Sequence, residues 1–278
     1  MIFAGHPLNE LLMLAFSLVA AGVVTGFLAG VFGVGGGAVI VPVLYEVFRL
    51  MDVDEAVRMQ LCVGTSLAII VPTSISSFRM HLRKDAVEKP VLRVWLAPVL
   101  IGVVLGGFIA SFAAPWLFKG VFVVVAGLSS FKMLFGREGW RLADTVPGAM
   151  LMRIYGIVIG IASALIGIGG GAISNLLLSL YGVPIHRAVA TSAGLGVIIS
   201  IPGVIAYIWS GWGKMAALPP FSIGYVSLVG FALMVPTSIL AAPWGARIAH
   251  ALPKRRLEVA FGLYLAFVSV RFAVTLLS

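Results

Sequence analysis

The chain alternates long apolar runs with short polar stretches, and two of the apolar runs contain nearly the same glycine-rich sequence, at residues 33–38 and 167–172. A helix that crosses a bilayer needs about 20 apolar residues. Residues 11–32 meet this length. The run behind the first glycine segment, residues 38–50, would form a helix only about 20 Å long, against about 30 Å of hydrocarbon. The pattern therefore predicts long spanning helices and one short helix behind each glycine segment.

The second half of the chain repeats the order of the first. The apolar segments fall at residues 11–32, 38–50, 56–78, 91–113 and 121–135, and then at 154–166, 172–181, 188–209, 220–246 and 257–277. Two related halves with an odd number of segments must cross the membrane in opposite directions. The sequence predicts an all-α polytopic membrane protein with two inverted-topology repeats of about five segments each, and short or broken helices at the glycine-rich loops. We assign residues 1–136 to the first membrane repeat, 137–153 to a basic cytoplasmic linker and 154–278 to the second membrane repeat.

Composition agrees with a membrane protein. The chain is 61% hydrophobic and only 10% charged, whereas soluble globular proteins are about 25% charged. Most of its surface must therefore face lipid. The net charge of +9 comes from basic residues confined to short loops, which is typical of membrane topology signals rather than nucleic-acid binding.

The loop charges predict the orientation. If the loops around residues 79–93, 137–153, 186–187 and 247–256 lie on one side, that side carries thirteen Lys and Arg residues and the other side carries four. Basic loops stay cytoplasmic. We therefore expect a multi-pass protein of the cytoplasmic membrane with both termini outside.

The glycine segments predict an anion site. Each glycine destabilises a helix interior by about 1 kcal/mol relative to alanine, so three in succession mark a break in the helix. Backbone amides at such a break find no partner in lipid, and the amides that open the next helix favour an anion. The candidate donors are Gly35, Gly36 and Gly37 in the first segment, and Gly169, Gly170 and Gly171 in the second.

A Thr-Ser pair follows each glycine segment and adds candidate hydroxyl donors. The pairs are Thr65-Ser66 and Thr191-Ser192. These hydroxyls could contact a substrate or could bond to their own helix four residues back. Asn175 is a weaker candidate, because the matching position in the first half is Val41.

Other functions receive less support. The spacing Gly33-x-Gly35-x-x-Ala38 also fits a dinucleotide-binding fingerprint, but that motif needs a soluble strand-turn-helix unit. The glycines could instead only allow close helix packing. Cys62 is the single cysteine and the four histidines match no metal-ligand spacing, so we predict no metal, no cofactor and no catalytic residue, and regard an intramembrane enzyme or a non-transporting subunit as the alternatives. The sequence leaves an oligomer open.

Few charges fall inside the predicted spans. The acidic residues lie in loops or near segment ends, so the sequence offers no evident carboxylate for proton or sodium coupling. Lys132 and Arg271 lie within the last segment of each half. They could extend to the nearest membrane surface or attract anions toward the site.

With these features in place, the chain resembles the sulfite exporter TauE/SafE family of membrane permeases. The resemblance covers nearly the whole chain and is most specific at residues 31–43, 165–176, 63–66 and 189–192. It implies a secondary transporter, often an exporter, of sulfur-containing anions such as sulfite or organosulfonates. A permease for another small organic anion is the alternative. The interval from glycine segment to Thr-Ser pair is longer in the first half than in the second, so the two sides of the site are expected to differ.

Overall fold

The structure, a computed structural model, describes residues 8–32, 37–136, 142–143, 145–251 and 253–277. Within these ranges the chain forms ten α-helices and one small hairpin. The first half contains α1 (Leu8–Phe32), α2 (Gly37–Leu50), α3 (Glu55–Arg83), α4 (Lys89–Phe112) and α5 (Pro115–Phe135). The second half contains α6 (Ala149–Ile166), α7 (Gly171–Leu180), α8 (Ile185–Gly211), α9 (Leu228–Ala251) and α10 (Lys254–Leu277). The predicted all-α polytopic fold is confirmed.

Seven of the described helices are long and apolar enough to cross a membrane, by length and composition. They are α3, α4, α5, α6, α8, α9 and α10. The two helices behind the glycine segments are short, as predicted: α2 has 14 residues and α7 has 10. At 1.5 Å per residue, α7 is about 15 Å long and reaches about half-way across the hydrocarbon.

Local sequence sets several helix ends. Asp54 caps α3 by accepting a hydrogen bond from the Ala56 amide at 2.9 Å, and a proline lies in the first turn of both α4 and α5, where its missing N–H is not needed. Two predicted boundaries were wrong. Helix α3 continues to Arg83, and α6 already begins at Ala149, so the end of the predicted linker is helical.

The segment predicted at residues 220–246 is also different from the expected single span. A 3₁₀ helix at Trp212–Ala217 is followed by a hairpin of β1 (Ser222–Ile223) and β2 (Val226–Ser227), and α9 begins only at Leu228. Gly224 forms the tight turn with φ +51°, and the Tyr225 amide donates to the Tyr207 carbonyl of α8 at 3.1 Å. The hairpin therefore folds back against α8. The loop predicted around residues 247–256 is also mostly helical, because α9 runs to Ala251 and α10 begins at Lys254.

The two halves interlock rather than lie side by side. Helix α1 packs on α9, α6 on α4, α3 on α8 and α5 on α10. Helices α3 and α8 are antiparallel, because Gly64 lies against Tyr207 at one end of the pair and Ser74 lies against Gly196 further along. Large apolar side chains such as Trp95, Phe48 and Phe118 are fully buried in this bundle.

Candidate functional site

The second glycine segment is a sharp turn between α6 and α7. Gly167 ends α6 in the left-handed conformation with φ +66°, and its amide donates to the Ser163 carbonyl at 3.0 Å. Gly170, with φ +73°, stands immediately before the first residue of α7. An L side chain is strained at both positions. The glycines therefore break the helix inside the bundle, as the sequence predicted.

The turn contains backbone amides without acceptors. The first intrahelical bond of α7 runs from the Ser174 amide to the Gly170 carbonyl at 2.9 Å. Within the described part of the chain, we find no acceptor for the amide of Gly169 or for the first three amides of α7. Residues 163–171 are all buried. These amides carry the positive end of the α7 dipole, which favours an anion.

The first half of the chain packs directly on this turn. Ser66 in α3 donates a hydrogen bond to the Gly167 carbonyl at 2.8 Å. A Cβ on Gly37, the first residue of α2, would lie 2.8 Å from the same carbonyl oxygen. Two predicted site residues, Gly37 and Ser66, therefore meet the second glycine segment. Gly35 and Gly36 lie outside the described residues.

The two threonines bond to backbone across the halves. Thr65 Oγ1 accepts a hydrogen bond from the Ser227 amide, just before α9, at 2.9 Å. In the matching way, Thr191 Oγ1 accepts from the Glu88 amide, just before α4, at 2.9 Å. Thr191 also donates to its own helix at the Arg187 carbonyl, 2.8 Å away. Both threonine hydroxyls thus hold helices together.

Ser192 uses its hydroxyl within its own helix, donating to the Val189 carbonyl at 2.8 Å. Among the four hydroxyls of the Thr-Ser pairs, only Ser66 forms a hydrogen bond to the described part of a glycine segment. The structure therefore brings Ser66 to the turn and gives the other three hydroxyls bonds elsewhere.

Three buried side chains near the turn carry a polar atom with no hydrogen-bond partner among the described residues. These atoms are Ser163 Oγ, Ser200 Oγ and Asn175 Oδ1. A Cβ on Gly170 would lie 3.6 Å from Ser163 Oγ, so that hydroxyl borders the turn. Asn175 lies one helical turn after Gly171, on the same face of α7.

Ser200 reaches the same region from α8. A Cβ on Gly169 would lie 3.2 Å from the Gly196 Cα, and a Cβ on Gly170 would lie 2.6 Å from Ile199 Cδ1. Ser200 follows Ile199 and is one turn beyond Gly196. A buried hydroxyl left unpaired is destabilising by about 1–3 kcal/mol, so the Ser163 and Ser200 hydroxyls are places where a ligand that accepts hydrogen bonds is stabilised. Asn175 Oδ1 is an acceptor, and only the Nδ2 group of that side chain can donate to an anion. The sequence prediction missed Ser163 and Ser200, because isolated serines in apolar helices carry no pattern.

Lys132 and Arg271 each contact the short helix of the other half. Lys132 in α5 donates to Ser179 Oγ and to the Leu176 carbonyl, 3.3 Å away, at the end of α7. Arg271 in α10 pairs with Glu46 of α2. Glu46, one of the acids expected in loops or near segment ends, lies within α2. A cation at the end of α7 is favourably placed because it meets the negative end of the helix dipole.

Most of the described acids are paired with cations. Glu55 contacts the buried Lys119 amine at 2.5 Å. In the loop between α3 and α4, the hydrogen bond and charge of Lys89 lower the pKa of Asp85 below its ordinary value, so Asp85 is ionised at neutral pH. No group of three or more metal-ligating side chains occurs in the part of the chain that the structure describes.

The spanning helices and the buried break between α6 and α7 define a polytopic membrane protein of the transporter class, and comparison with known proteins agrees. The family model described as "Sulfite exporter TauE/SafE" matches residues 18–272, so the chain belongs to this family. The chain is a membrane transporter and not an enzyme. No solved structure matches it.

Curated relatives carry only a general name. The chain is 31% identical over 249 residues to a "Probable membrane transporter protein" of Haemophilus influenzae, covering 90% of this chain and 94% of the relative. It is 26% identical over 257 residues to a protein of the same description from Methanocaldococcus jannaschii, covering 90% and 92%. The YunE protein of Bacillus subtilis, also a probable membrane transporter, is 28% identical over 227 residues, covering 73% and 82%.

Proposed function

We propose that this protein is a secondary transporter that carries a small sulfur-containing anion, such as sulfite or an organosulfonate, out of the cytoplasm across the cytoplasmic membrane. The family description supports the substrate class. The observation that carries the proposal is the buried turn between α6 and α7, where amide donors lack acceptors and unpartnered hydroxyls adjoin them. Sulfite and sulfonate oxygens accept several hydrogen bonds at once, which fits a site made of donors.

The proposed site combines backbone and side-chain donors. In the second half they are the amides of Gly169 and Gly171, the hydroxyls of Ser163 and Ser200, and the Nδ2 amide group of Asn175. The Gly170 amide already donates to the Ile168 carbonyl at 2.6 Å, so Gly170 shapes the turn and is not itself a donor to the anion. Gly35, Gly36 and Gly37 complete the site from the first half. The Ser66 hydroxyl donates its proton to the Gly167 carbonyl, so Ser66 holds the turn in place and does not donate to the anion. We assign a positioning role to Thr65 and Thr191, because their hydroxyls accept hydrogen bonds from backbone amides that fix α3 and α8. Ser192 donates to the Val189 carbonyl of its own helix, so we assign its hydroxyl no contact with the anion.

The same proposal includes the inverted repeat. Helices α3 and α8 hold the same place in the two halves and run antiparallel, as opposite orientations require. Helices α5 and α10 do likewise: Ser130 donates to the Gly262 carbonyl near one end and Ser269 to the Val123 carbonyl near the other. A site between two inverted halves with interrupted helices is a recurrent plan in secondary transporters. We keep the division at residues 1–136, 137–153 and 154–278.

The membrane potential favours export of an anion from the cytoplasm. Each negative charge that leaves a cell with an inside-negative potential gains about 2.3 kcal/mol per 100 mV. In the described chain, the acids within α2 and at the start of α3 are paired with cations. Export driven by the potential therefore does not require a titrating carboxylate inside a span.

The test is flux of radiolabelled sulfite in proteoliposomes. Ser163→Ala and Ser200→Ala each remove a hydroxyl that donates to the anion, and we expect the apparent affinity for sulfite to fall about tenfold to a hundredfold, because a hydrogen bond to a charged group contributes about 1.5–3 kcal/mol. Ser129→Ala is the matched control. Ser129 Oγ is also buried and without a partner among the described residues, but it lies in α5.

Competition by unlabelled sulfoacetate, taurine, sulfate and acetate in the same assay identifies the substrate class. Competition by sulfoacetate and not by acetate supports a sulfur oxyanion. Equal competition by acetate would indicate a general organic-anion permease. If both serine variants transport sulfite with the same apparent affinity as the wild type and Ser129→Ala, the proposed location of the site is wrong.

A further inference from the structure

A groove of about 540 Å³ opens on the outside of the bundle between α4 and α6. Its lining consists of Arg93, Val94, Ala97, Pro98, Ile101, Arg153 and Ile157. It lies apart from the turn between α6 and α7, so the proposed transport site does not account for it.

The two helices that form the groove run parallel in close contact. Gly102 faces the Ile157 carbonyl and Gly160, and further along Gly106 faces Ala164. Residue numbers increase in the same direction along both helices, so α4 and α6 begin on the same side of the membrane. Each helix places an arginine at its fifth residue, since α4 begins at Lys89 and α6 at Ala149. The two guanidinium groups therefore enter the groove from the same membrane surface.

The basic end and the apolar part of the groove are complementary to the phosphate group and the acyl chain of a phospholipid. Arg93 and Arg153 lie at the polar end of the groove. Beyond them, Ala97 and Ile101 follow Arg93 at four-residue intervals on one face of α4, and Ile157 follows Arg153 on α6. Ile101 is 53% exposed, so this apolar part of the groove faces the hydrocarbon of the bilayer. A free anion would contact only the two arginines, whereas a lipid would cover the whole groove.

Neither arginine is neutralised by a described acid. Among the described residues, no carboxylate forms an ion pair with Arg93 or Arg153. The acids in the preceding loop are already engaged, Asp85 with Lys89 at 2.9 Å and Glu88 with Arg187 at 2.5 Å. Two cations held beside an apolar groove at the level of the headgroups complement a phosphate group.

We propose that this groove binds one anionic glycerophospholipid, with its phosphate between Arg93 and Arg153 and an acyl chain along Ala97, Ile101 and Ile157. The basic loops place this end of α4 and α6 at the cytoplasmic surface. The bound lipid fills the outer side of the junction between α4 of the first half and α6 of the second.

Native mass spectrometry of the full-length protein in neutral detergent tests the proposal, with dioleoylphosphatidylglycerol as the probe. The wild type is expected to retain one such lipid in preference to dioleoylphosphatidylcholine. Arg93→Gln combined with Arg153→Gln is expected to weaken this binding about thirtyfold, since each basic residue near a membrane surface contributes about a factor of five. Arg83→Gln combined with Arg256→Gln is the matched control, because it removes two exposed charges from the same predicted side.

Three results would overturn the proposal: equal retention of the neutral lipid, equal loss in the control variant, or displacement of the lipid by soluble glycerol phosphate at similar concentrations. The last result would show a plain phosphate site without use of the apolar groove. Ile101→Asn tests the acyl part separately. It leaves both arginines in place and is expected to weaken lipid binding while the protein elutes as a single species in size-exclusion chromatography.

Discussion

Thr65 and Thr191 show how single hydroxyls connect the two halves. Each accepts a hydrogen bond from a backbone amide at the start of a helix in the other half. Both side chains are fully buried. The Ser227 residue is buried as well, and a buried amide without a partner is destabilising. The two threonines therefore fix the position of α9 against α3 and of α4 against α8.

Replacement of Thr65 by valine is expected to lower stability. Thr65→Val keeps the shape of the side chain but leaves the Ser227 amide unpaired, which destabilises the fold by about 1–3 kcal/mol. Thr65→Ser retains Oγ and is expected to remain close to the wild type. The measurement is the midpoint of thermal unfolding in detergent, followed by tryptophan fluorescence.

Thr73→Val supplies the comparison for this experiment. Thr73 also lies in α3, but its hydroxyl donates only to carbonyls of its own helix at 3.1 Å, so its loss exposes no amide. An equal drop in the unfolding midpoint for Thr65→Val and Thr73→Val would contradict the proposed role of Thr65.

The candidate site could be predicted only in part at the level of residues. The glycines and the Thr-Ser pairs are visible because they are duplicated in apolar runs. Their partners are not, since Thr65 bonds to an amide 162 positions away and Thr191 to one 103 positions away. Ser163 and Ser200 stand out only when the fold shows that they are buried beside the turn without a partner.

At the level of helices, α2 and α7 need support because they are too short to be held by the bilayer alone. The support comes from the last helix of the opposite half, through Lys132 at the end of α7 and Arg271 beside Glu46 of α2. The sequence prediction considered Lys132 and Arg271 only as residues that reach the surface or attract anions. The contacts of these two side chains depend on how the two halves pack against each other, and no local sequence pattern predicts that packing.

Lys132→Met is expected to loosen α7. It removes a cation from the C-terminal end of that helix, where such a charge contributes about 0.3–2 kcal/mol, and it removes the bond to Ser179. We expect a lower unfolding midpoint and several-fold slower sulfite flux in proteoliposomes. Lys132→Arg retains the charge and is expected to recover much of the activity.

Lys214→Met is the matched control for the lost charge, because Lys214 is exposed in the 3₁₀ helix. If Lys132→Met and Lys214→Met behave alike, the contact of Lys132 with α7 has no functional role.

The close packing of α4 on α6 depends on glycine. A Cβ on Gly160 would lie 2.4 Å from the Val99 carbonyl oxygen and 2.9 Å from the Gly102 Cα. Gly160→Ala therefore forces the two helices apart, and we expect it to reduce the yield of folded protein and lower the unfolding midpoint by several degrees. Gly120→Ala in α5 is the control. A Cβ there meets nothing within 4 Å, and the change favours helix by about 1 kcal/mol.

Fluorescence-detected size-exclusion chromatography measures both glycine variants directly in crude membranes. A Gly160→Ala protein that elutes as a sharp peak with wild-type yield and stability would show that α4 and α6 tolerate wider spacing.

At the level of the whole molecule, the sequence predicts more of the helix order than of the packing. Long and short helices follow from the lengths of the apolar runs, because hydrocarbon thickness sets the length of a span. The hairpin at Ser222–Ser227 was missed, since two-residue strands are too short to show an alternating pattern. The pairing of α1 with α9 and of α6 with α4 joins opposite halves, and nothing in the order of segments predicts it.

The charge distribution predicts how the whole bundle is inserted, and the single cysteine makes this prediction testable. Cys62 is fully buried, so the wild type is expected to react little with a membrane-impermeant maleimide. In right-side-out membrane vesicles we expect Lys214→Cys to be labelled and Arg83→Cys to be labelled only after permeabilisation. The reason is that the loop after α3 is strongly basic and is therefore expected in the cytoplasm, whereas the segment after α8, which is expected on the other side, carries only Lys214. Labelling of Arg83→Cys without permeabilisation would show that the protein has the opposite orientation in the membrane. The groove with Arg93 and Arg153 would then open to the outer leaflet. The favoured direction of anion flux would stay the same, because the charge of the anion and the membrane potential set it.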